Sequence, residues 1–338
     1  MTTVYVREQG AVVRKRGERL VITKEDREIG GIPLVNLTQV ALAGNVQLTT
    51  PAAVLLLEKD VDVVFFSEYF KYRGRLVGTG SRNGGLRVAQ LKMVGDETRT
   101  LPVAKEIVAG KLTNQRLVMQ RQAAQRGSGA AGPAMRQAVD GIAAMRESSA
   151  KAETLDSLRG YEGKAGAYYF AAFKALLDPR WGFQGRQYYP PPDPINAALS
   201  LGYSLLLKDV TAAVQIVGLD PYLGFFHVIE YGRPSLPLDV MEEFRPLLVD
   251  TLVLALVHEG ALTPADFVKS GDPKRPVHTA DAGMKRLIEG YEKRLETTLR
   301  HPVSGDQVTY RRCLELQVRQ IAAVIEGRAT RYVPVVMR

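Results

Sequence analysis

The spacing of apolar residues changes period near residue 80, and no single regular layer satisfies both halves. Before that point, short segments such as TVYVRE, GERLVITK, VALAG, NVQLT and VDVVFF are rich in Val, Ile, Thr and Phe and are cut by Gly, Pro and Asn, which is how strands read. One helix, PAAVLLLEKD, interrupts them, with Thr50 as its expected N-cap and Pro51 at its first position. Beyond residue 100 the helical period predicts helices near 102–125, 134–149, 153–178, 194–217, 237–259, 280–300 and 308–327. The expected fold class is α+β. A small N-terminal β-sheet domain occupies 1–80, a hinge or linker 81–100, and a larger all-α domain 101–338. At 338 residues the chain exceeds what one core usually holds.

The breaks are informative mainly by exclusion. GRLVGTGSRNGG, residues 74–85, supplies five glycines; with no Gly-Lys-Ser/Thr after it, it reads as a hinge rather than a phosphate loop. The Ala/Gly/Ser-rich 126–133 reads as a mobile loop, and no internal repeat is visible. No apolar run approaches the roughly 18 residues of a membrane span, since LLVDTLVLALV contains Asp250. The opening MTTVYVREQG lacks the layout of a signal peptide, and the single Cys313 excludes an intramolecular disulfide. A cytoplasmic protein with no membrane partner is expected.

The formal charge of +9 is unevenly placed. Residues 81–150 hold 11 Lys or Arg against 5 Asp or Glu, and Arg328 to Arg338 add three arginines and no acid. Those two segments carry the whole excess. Such a distribution suits phosphate contact, which is independent of nucleotide sequence, or simply a solubilising surface.

Five polar side chains break otherwise apolar patterns. Glu162 lies between Gly160 and Gly163 in LRGYEGKAGAYYFAAFKALL; two glycines cost a helix about 1 kcal/mol each relative to Ala, which suggests close access to the acid. Pairing of a solvated Glu162 with Lys164 is the alternative. His227 follows the turn-rich GLDPYLGFF, where a hydrogen-bonded packing role competes with that of a ligand. Asp239 and Glu242 are three apart and share a face of the helix expected from Pro237, although two acids in a first turn can simply suit the helix dipole. Glu243, about 100° further round by helical geometry, is expected to face solvent or to pair with Arg245.

Together, one imidazole and carboxylates from separate helices suit Mg²⁺ or Mn²⁺. No Cys or His pair offers zinc, and no Gly-x-Ser-x-Gly elbow supports acyl transfer. Acids holding a divalent ion beside basic segments suit phosphodiester chemistry. On residues alone, a metal-dependent nucleic-acid enzyme is expected.

The motifs GYEGKAGAYYF, FQGRQYYPPPDPINAALSLGYSLL, GLDPYLGFFHV and SLPLDVMEEFRPLLVD, with IPLVNLTQVALAGNVQLTTPAAVLLLEKDVDVVFF and KLTNQR at 111–116, resemble in order and spacing the CRISPR-associated integrases of the spacer-acquisition complex, the family usually called Cas-one. The resemblance covers nearly the whole chain. It implies a β domain joined to a helical domain, and a metal site at Glu162, His227 and Glu242 with Asp239 sharing or bracing it. Members vary between Asp and Glu at the last position, and Gly166 stands where alanine is common.

The implied chemistry is attack by the 3′-hydroxyl of a captured double-stranded DNA fragment on a phosphodiester at a CRISPR repeat, assisted by Mg²⁺ or Mn²⁺. The implied assembly is a homodimer formed through the β domain, two of which flank a dimer of a small second adaptation protein in a heterohexamer. The basic residues between Arg82 and Arg146, with the Arg328–Arg338 tail, are the candidate backbone contacts. A metal-dependent nuclease on branched or single-stranded DNA without integration, and a non-catalytic DNA-capture subunit, are the competing readings.

Overall fold

The computed structural model describes residues 2–78, 83–126, 131–187, 189–274 and 276–337. The chain divides into two compact units, Met1–Gly80 and Ser81–Arg338. Four residues of the glycine-rich stretch, Arg82 among them, lie outside the described set, as do four of the 126–133 loop and Arg338.

The first unit contains β1 (Thr2–Val6), β2 (Val12–Arg16), β3 (Arg19–Lys24), β4 (Arg27–Ile32), β5 (Leu37–Ala43), β6 (Gln47–Leu48), α1 (Thr50–Glu58), β7 (Asp62–Phe66) and β8 (Tyr72–Leu76). They form two four-stranded sheets, ordered β1-β5-β7-β8 and β4-β3-β2-β6. β5 pairs in parallel with both β1 and β7, so α1 lies on the crossover between parallel neighbours, as such a connection requires. Val13, Leu20, Val40, Leu42, Leu56 and Val63 are buried in its core. The N-cap of α1 is Thr49, one residue before the expected Thr50, and its side chain makes no capping bond.

The second unit contains α2 (Gly84–Val94), α3 (Glu97–Arg126), α4 (Gly132–Ala150), α5 (Leu155–Ala175), α6 (Pro194–Val217), α7 (Ser235–Met241), α8 (Thr251–His258), β9 (Phe267–Lys269), β10 (Val277–Thr279), α9 (Asp281–Leu295), β11 (Thr298–Arg300), β12 (Gln307–Thr309) and α10 (Tyr310–Ile325). It is mostly helical, with two small antiparallel ribbons, β9–β10 and β11–β12. β11 takes the end of the stretch expected to be helical to residue 300.

Two expectations fail for physical reasons. The segment expected to be a hinge is α2 and the start of α3: Asn83 caps α2 by accepting from Leu86 N, and the buried Gln90 clamps the 220–223 turn. Gln90 Nε2 donates to the carbonyls of Asp220 (2.9 Å) and Leu223 (2.8 Å), and its Oε1 accepts from Asp220 N (2.8 Å). The helix expected over 237–259 is broken. After α7 come turns at 242–244, a π-helical turn over Arg245–Asp250, and then α8; such π turns are frequent at functional sites.

α6 runs through the middle of this unit's packing. Asp193 caps it by accepting from Asn196 N at 2.9 Å, and Gly218 closes it at φ 97°. By length and composition it could cross a membrane, contrary to the sequence expectation, but 78% of its apolar stretch is buried inside the fold. Its Lys208 and Asp209 are buried and paired at 2.7 Å, with Tyr291 of α9 donating to Asp209 at 2.8 Å.

Candidate metal centre and nucleic-acid site

α3, α5 and the turn after α7 bring three charged side chains to one point. Thr154 caps α5, exchanging hydrogen bonds with Ser157, and one turn later α5 presents Arg159 and then Glu162. The Lys111 ammonium of α3 ion-pairs with Glu162 Oε1 and with Glu242 Oε2. His227 Nε2 stands 3.6 Å from Glu242 Oε1, and Arg245 Nε is 3.3 Å from the same oxygen. Thus Glu162 and Glu242, far apart in sequence, meet on one cation, with His227 beside Glu242. Gly160 and Gly163 have open space where a Cβ would project.

His227 is held from behind. Asp239 Oδ1 lies 2.7 Å from His227 Nδ1 and accepts the His227 backbone N–H at 2.9 Å, while Oδ2 accepts those of Phe225 (2.5 Å) and Phe226 (3.0 Å). With Nδ1 engaged, Nε2 is the nitrogen turned to Glu242. Asp239 is fully buried, and its hydrogen bonds run to the ring and the 225–227 backbone rather than to the Lys111 cation. Arg159 completes the hold: its Nε and Nη2 donate to the Phe226 carbonyl at 3.0 and 2.7 Å. α5 therefore positions the histidine loop with one residue and supplies an acid with another, one turn on.

The electrostatics keep Glu242 ionised. Burial opposes charge on Glu242, but Arg245, Lys111 and His227 outweigh it and hold its pKa at about 2. Burial would likewise lower the Lys111 pKa; Glu162 and Glu242 raise it instead. Arg245 is fixed by stacking over Tyr203 at 4.8 Å, with Arg186 at 5.2 Å from the same ring. Tyr203 and Tyr169 donate to Asp250 at 2.5 and 3.0 Å, and burial lifts Asp250 to about 6.

Glu243 corrects the sequence reading. It is 1% exposed: Oε1 accepts from Tyr332 Oη (2.7 Å) and Gln317 Nε2 (2.8 Å), and Oε2 from Val335 N (2.9 Å). Every residue from 239 to 244 is buried, so this turn has no solvent face. Arg245 pairs with Glu242 instead. Burial pushes Glu243 up to about 7, and its role is to tie the C-terminal segment to α10.

Sequence reasoning also missed Lys111 and Asn114, which were visible only as part of KLTNQR. Three residues apart on α3, they point one to the acids and the other to the C-terminal segment, where Asn114 Nδ2 donates to the carbonyls of Glu243 (2.9 Å) and Val335 (2.8 Å). Nothing in the spacing of this mixed polar and apolar stretch marks either residue.

Among the described residues no three His, Cys, Asp or Glu side chains stand as a ready-made metal cluster, because Lys111 lies between the acids. The donor set nonetheless fits a hard divalent ion: two carboxylates and an imidazole whose other nitrogen is engaged. The buried Glu242 Oε2 is held by the Lys111 ammonium alone, with no hydrogen bond aligned on it, so a cation is what this oxygen already takes.

The candidate DNA-contact residues Arg87, Lys92, Arg99, Arg121, Arg136, Arg146, Arg328 and Arg331 are exposed, whereas Lys105, Lys111 and Arg116 are partly buried. Arg87 also donates to the Gly218 carbonyl at 3.1 Å.

Comparison with known proteins places this geometry in context. A family model described as "CRISPR associated protein Cas1" matches residues 4–293. A Cas4/Cas1 exonuclease–endonuclease fusion of Rhodospirillum rubrum is 38% identical over 97% of the chain, which spans 56% of that protein; for a Geobacter sulfurreducens fusion the share is 59%. The chain thus spans little more than half of these relatives. A Thermus thermophilus protein named CRISPR-associated endonuclease Cas1 is 37% identical, with 98% of both chains covered. Among solved structures, a casposase bound to integration product superposes with TM-score 0.83 at 21% identity, covering 98% of this chain and 93% of that one. A Cas1 protein from Thermotoga maritima gives 0.81 at 23%, covering both chains fully. A chain of a Cas6-RT-Cas1–Cas2 complex gives 0.82 at 24%, covering 99% of this chain and 36% of that one.

Proposed function

The chain belongs to the CRISPR-associated Cas1 family, and on that premise we propose that it is a metal-dependent DNA integrase and endonuclease of CRISPR adaptation. The observation that carries this reading is the convergence of Glu162 and Glu242, from α5 and the turn after α7, on one cation beside His227 Nε2. Relatives named as endonucleases support the nuclease class.

Glu162, Glu242 and His227 would hold Mg²⁺ or Mn²⁺, which when bound polarises a phosphoryl oxygen and stabilises a leaving alkoxide. Asp239 keeps the proton on His227 Nδ1, so that Nε2 offers its lone pair to the site. Arg245, stacked on Tyr203, keeps Glu242 anionic and adds fixed positive charge where a phosphodiester would lie. The attacking 3′-hydroxyl comes from the DNA fragment, so no side-chain nucleophile is required.

The exposed arginines of α4 and of the C-terminal segment are the proposed backbone contacts. They position DNA without reading its sequence, which suits a protein that accepts fragments of many sequences. The β unit is the proposed homodimer contact; it exposes Ile29 and Val35. Two such dimers flanking a dimer of the small second adaptation protein would separate two active sites. Likeness to a chain of a Cas6-RT-Cas1–Cas2 complex supports that partner. A cytoplasmic setting is in keeping with the single, buried Cys313.

The competing reading is a nuclease acting on branched or single-stranded DNA without integration. Strand transfer of a labelled duplex into a repeat-bearing plasmid, with the second adaptation protein present, separates the two. Joined products at repeat borders support integration, and cleavage without joining supports the nuclease.

A further inference from the structure

We infer that Lys111 is a built-in placeholder for the divalent cation, a positioning residue whose ammonium holds the acidic cradle together and is displaced when the ion binds. The inference rests on the metal-binding reading and concerns this chain's own lysine. Lys111 Nζ contacts one oxygen of each acid, Glu162 Oε1 and Glu242 Oε2, the two carboxylates assigned to the ion. Its side chain is 12% exposed and that of Glu242 is 3% exposed, so water screens little of the repulsion the acids would feel without it.

Two carboxylates, Glu162 and Glu242, face two obligate cations, Lys111 and Arg245, so the cradle is already balanced and a divalent ion adds two uncompensated positive charges. A divalent ion on the same two oxygens would bring a second cation to within contact distance of the ammonium, where like charges repel strongly at low effective dielectric. Arg245 cannot yield, because its guanidinium is stacked on Tyr203 and carries the buried Glu242. Lys111 can. Its ammonium sits on a four-carbon stem with free torsions, and a rotamer change moves the charge without moving α3. Competition of this kind sets the ion concentration at which the site fills and preserves acid geometry while it is empty.

The direct test measures Mn²⁺ binding by calorimetry to the full chain and to Lys111→Met, which keeps the stem and removes the charge. The variant is expected to melt lower without metal, to bind Mn²⁺ at least about 10-fold more tightly, and to gain more in melting temperature on Mn²⁺ addition than the parent does. A purely structural lysine would give weaker binding in the variant. Equal or weaker Mn²⁺ affinity in a folded variant overturns the placeholder role while leaving the metal site in place; failure of parent and variant alike to bind Mn²⁺ overturns both. Should Lys111→Met not fold, the parent decides the matter by ¹H–¹⁵N spectroscopy of lysine ammonium groups with Mg²⁺. Loss of the hydrogen-bonded Lys111 signal at saturation supports displacement, and its persistence at saturation refutes it.

Discussion

His227 Nδ1 lies 2.7 Å from Asp239 Oδ1, and that same oxygen accepts the His227 backbone N–H at 2.9 Å. One buried carboxylate thus fixes both the loop and the ring it carries. Asp239→Asn keeps the shape but replaces an anion that accepts four bonds with an amide that must donate from one end. Partner losses of this kind typically cost about 10–100-fold in metal affinity or activity. Mn²⁺-dependent cleavage is expected to fall by that factor, with melting of the fold, followed by circular dichroism, moving down only a few degrees.

Glu162 and Glu242 are expected to part company in stability. Glu242 is buried between Lys111 and Arg245, so Glu242→Gln leaves buried cations uncompensated, at a cost of about 3–5 kcal/mol. Glu162 is 21% exposed and ion-pairs with Lys111, which keeps Glu242 as a partner, and Glu162→Gln should cost about 1 kcal/mol or less. Both variants should lose cleavage, but only Glu242→Gln should drop the melting temperature, by roughly 10 °C. Equal stability would contradict the burial asymmetry.

Stability should decline on going from pH 5.5 to 8.5. Glu243 is raised from 4.5 to about 7 and Asp250 from 3.8 to about 6, in both cases by burial. A raised folded value means a contribution complete below the unfolded pKa and lost as pH rises through the folded one. Glu242, lowered to about 2, acts oppositely: its contribution is present above about 4.5 and is lost only in strong acid. Thermal melts at the two pH values should favour pH 5.5, and Glu243→Gln should remove much of the difference. A parent more stable at pH 8.5 would contradict this assignment.

The exposed arginines predict a salt signature. Arg136, Arg146 and Arg331 replaced together by Gln should weaken DNA binding about equally for unrelated sequences. The slope of log affinity against log salt should shrink by about 0.9 for each phosphate that the variant no longer neutralises. An unchanged slope would place the DNA elsewhere.

Much of the fold was legible because its signals are local. The apolar spacing changes period near residue 80, where the chain divides into two compact units, and the helices expected over 153–178 and 194–217 are α5 and α6. The path from 237 to 259 was not legible. A helical period predicts one helix, whereas the chain turns at 242–244 and winds a π turn under tertiary packing on all sides. Glu243 was misread for the same reason, since a helical wheel assumes a solvent face that this turn lacks. Lys111 could not be assigned from spacing at all: its partners lie on α5 and beyond α7, and only the fold brings them to one ammonium.

The most direct measurement of the central claim is cleavage and joining of a labelled branched DNA by the full chain and by Glu162→Gln, each in Mn²⁺ and in EDTA. The geometry predicts products only with the parent chain in Mn²⁺, and none from a Glu162→Gln protein that remains folded. Products that survive EDTA, or that Glu162→Gln forms as readily as the parent, would contradict a metal centre built on Glu162, His227 and Glu242.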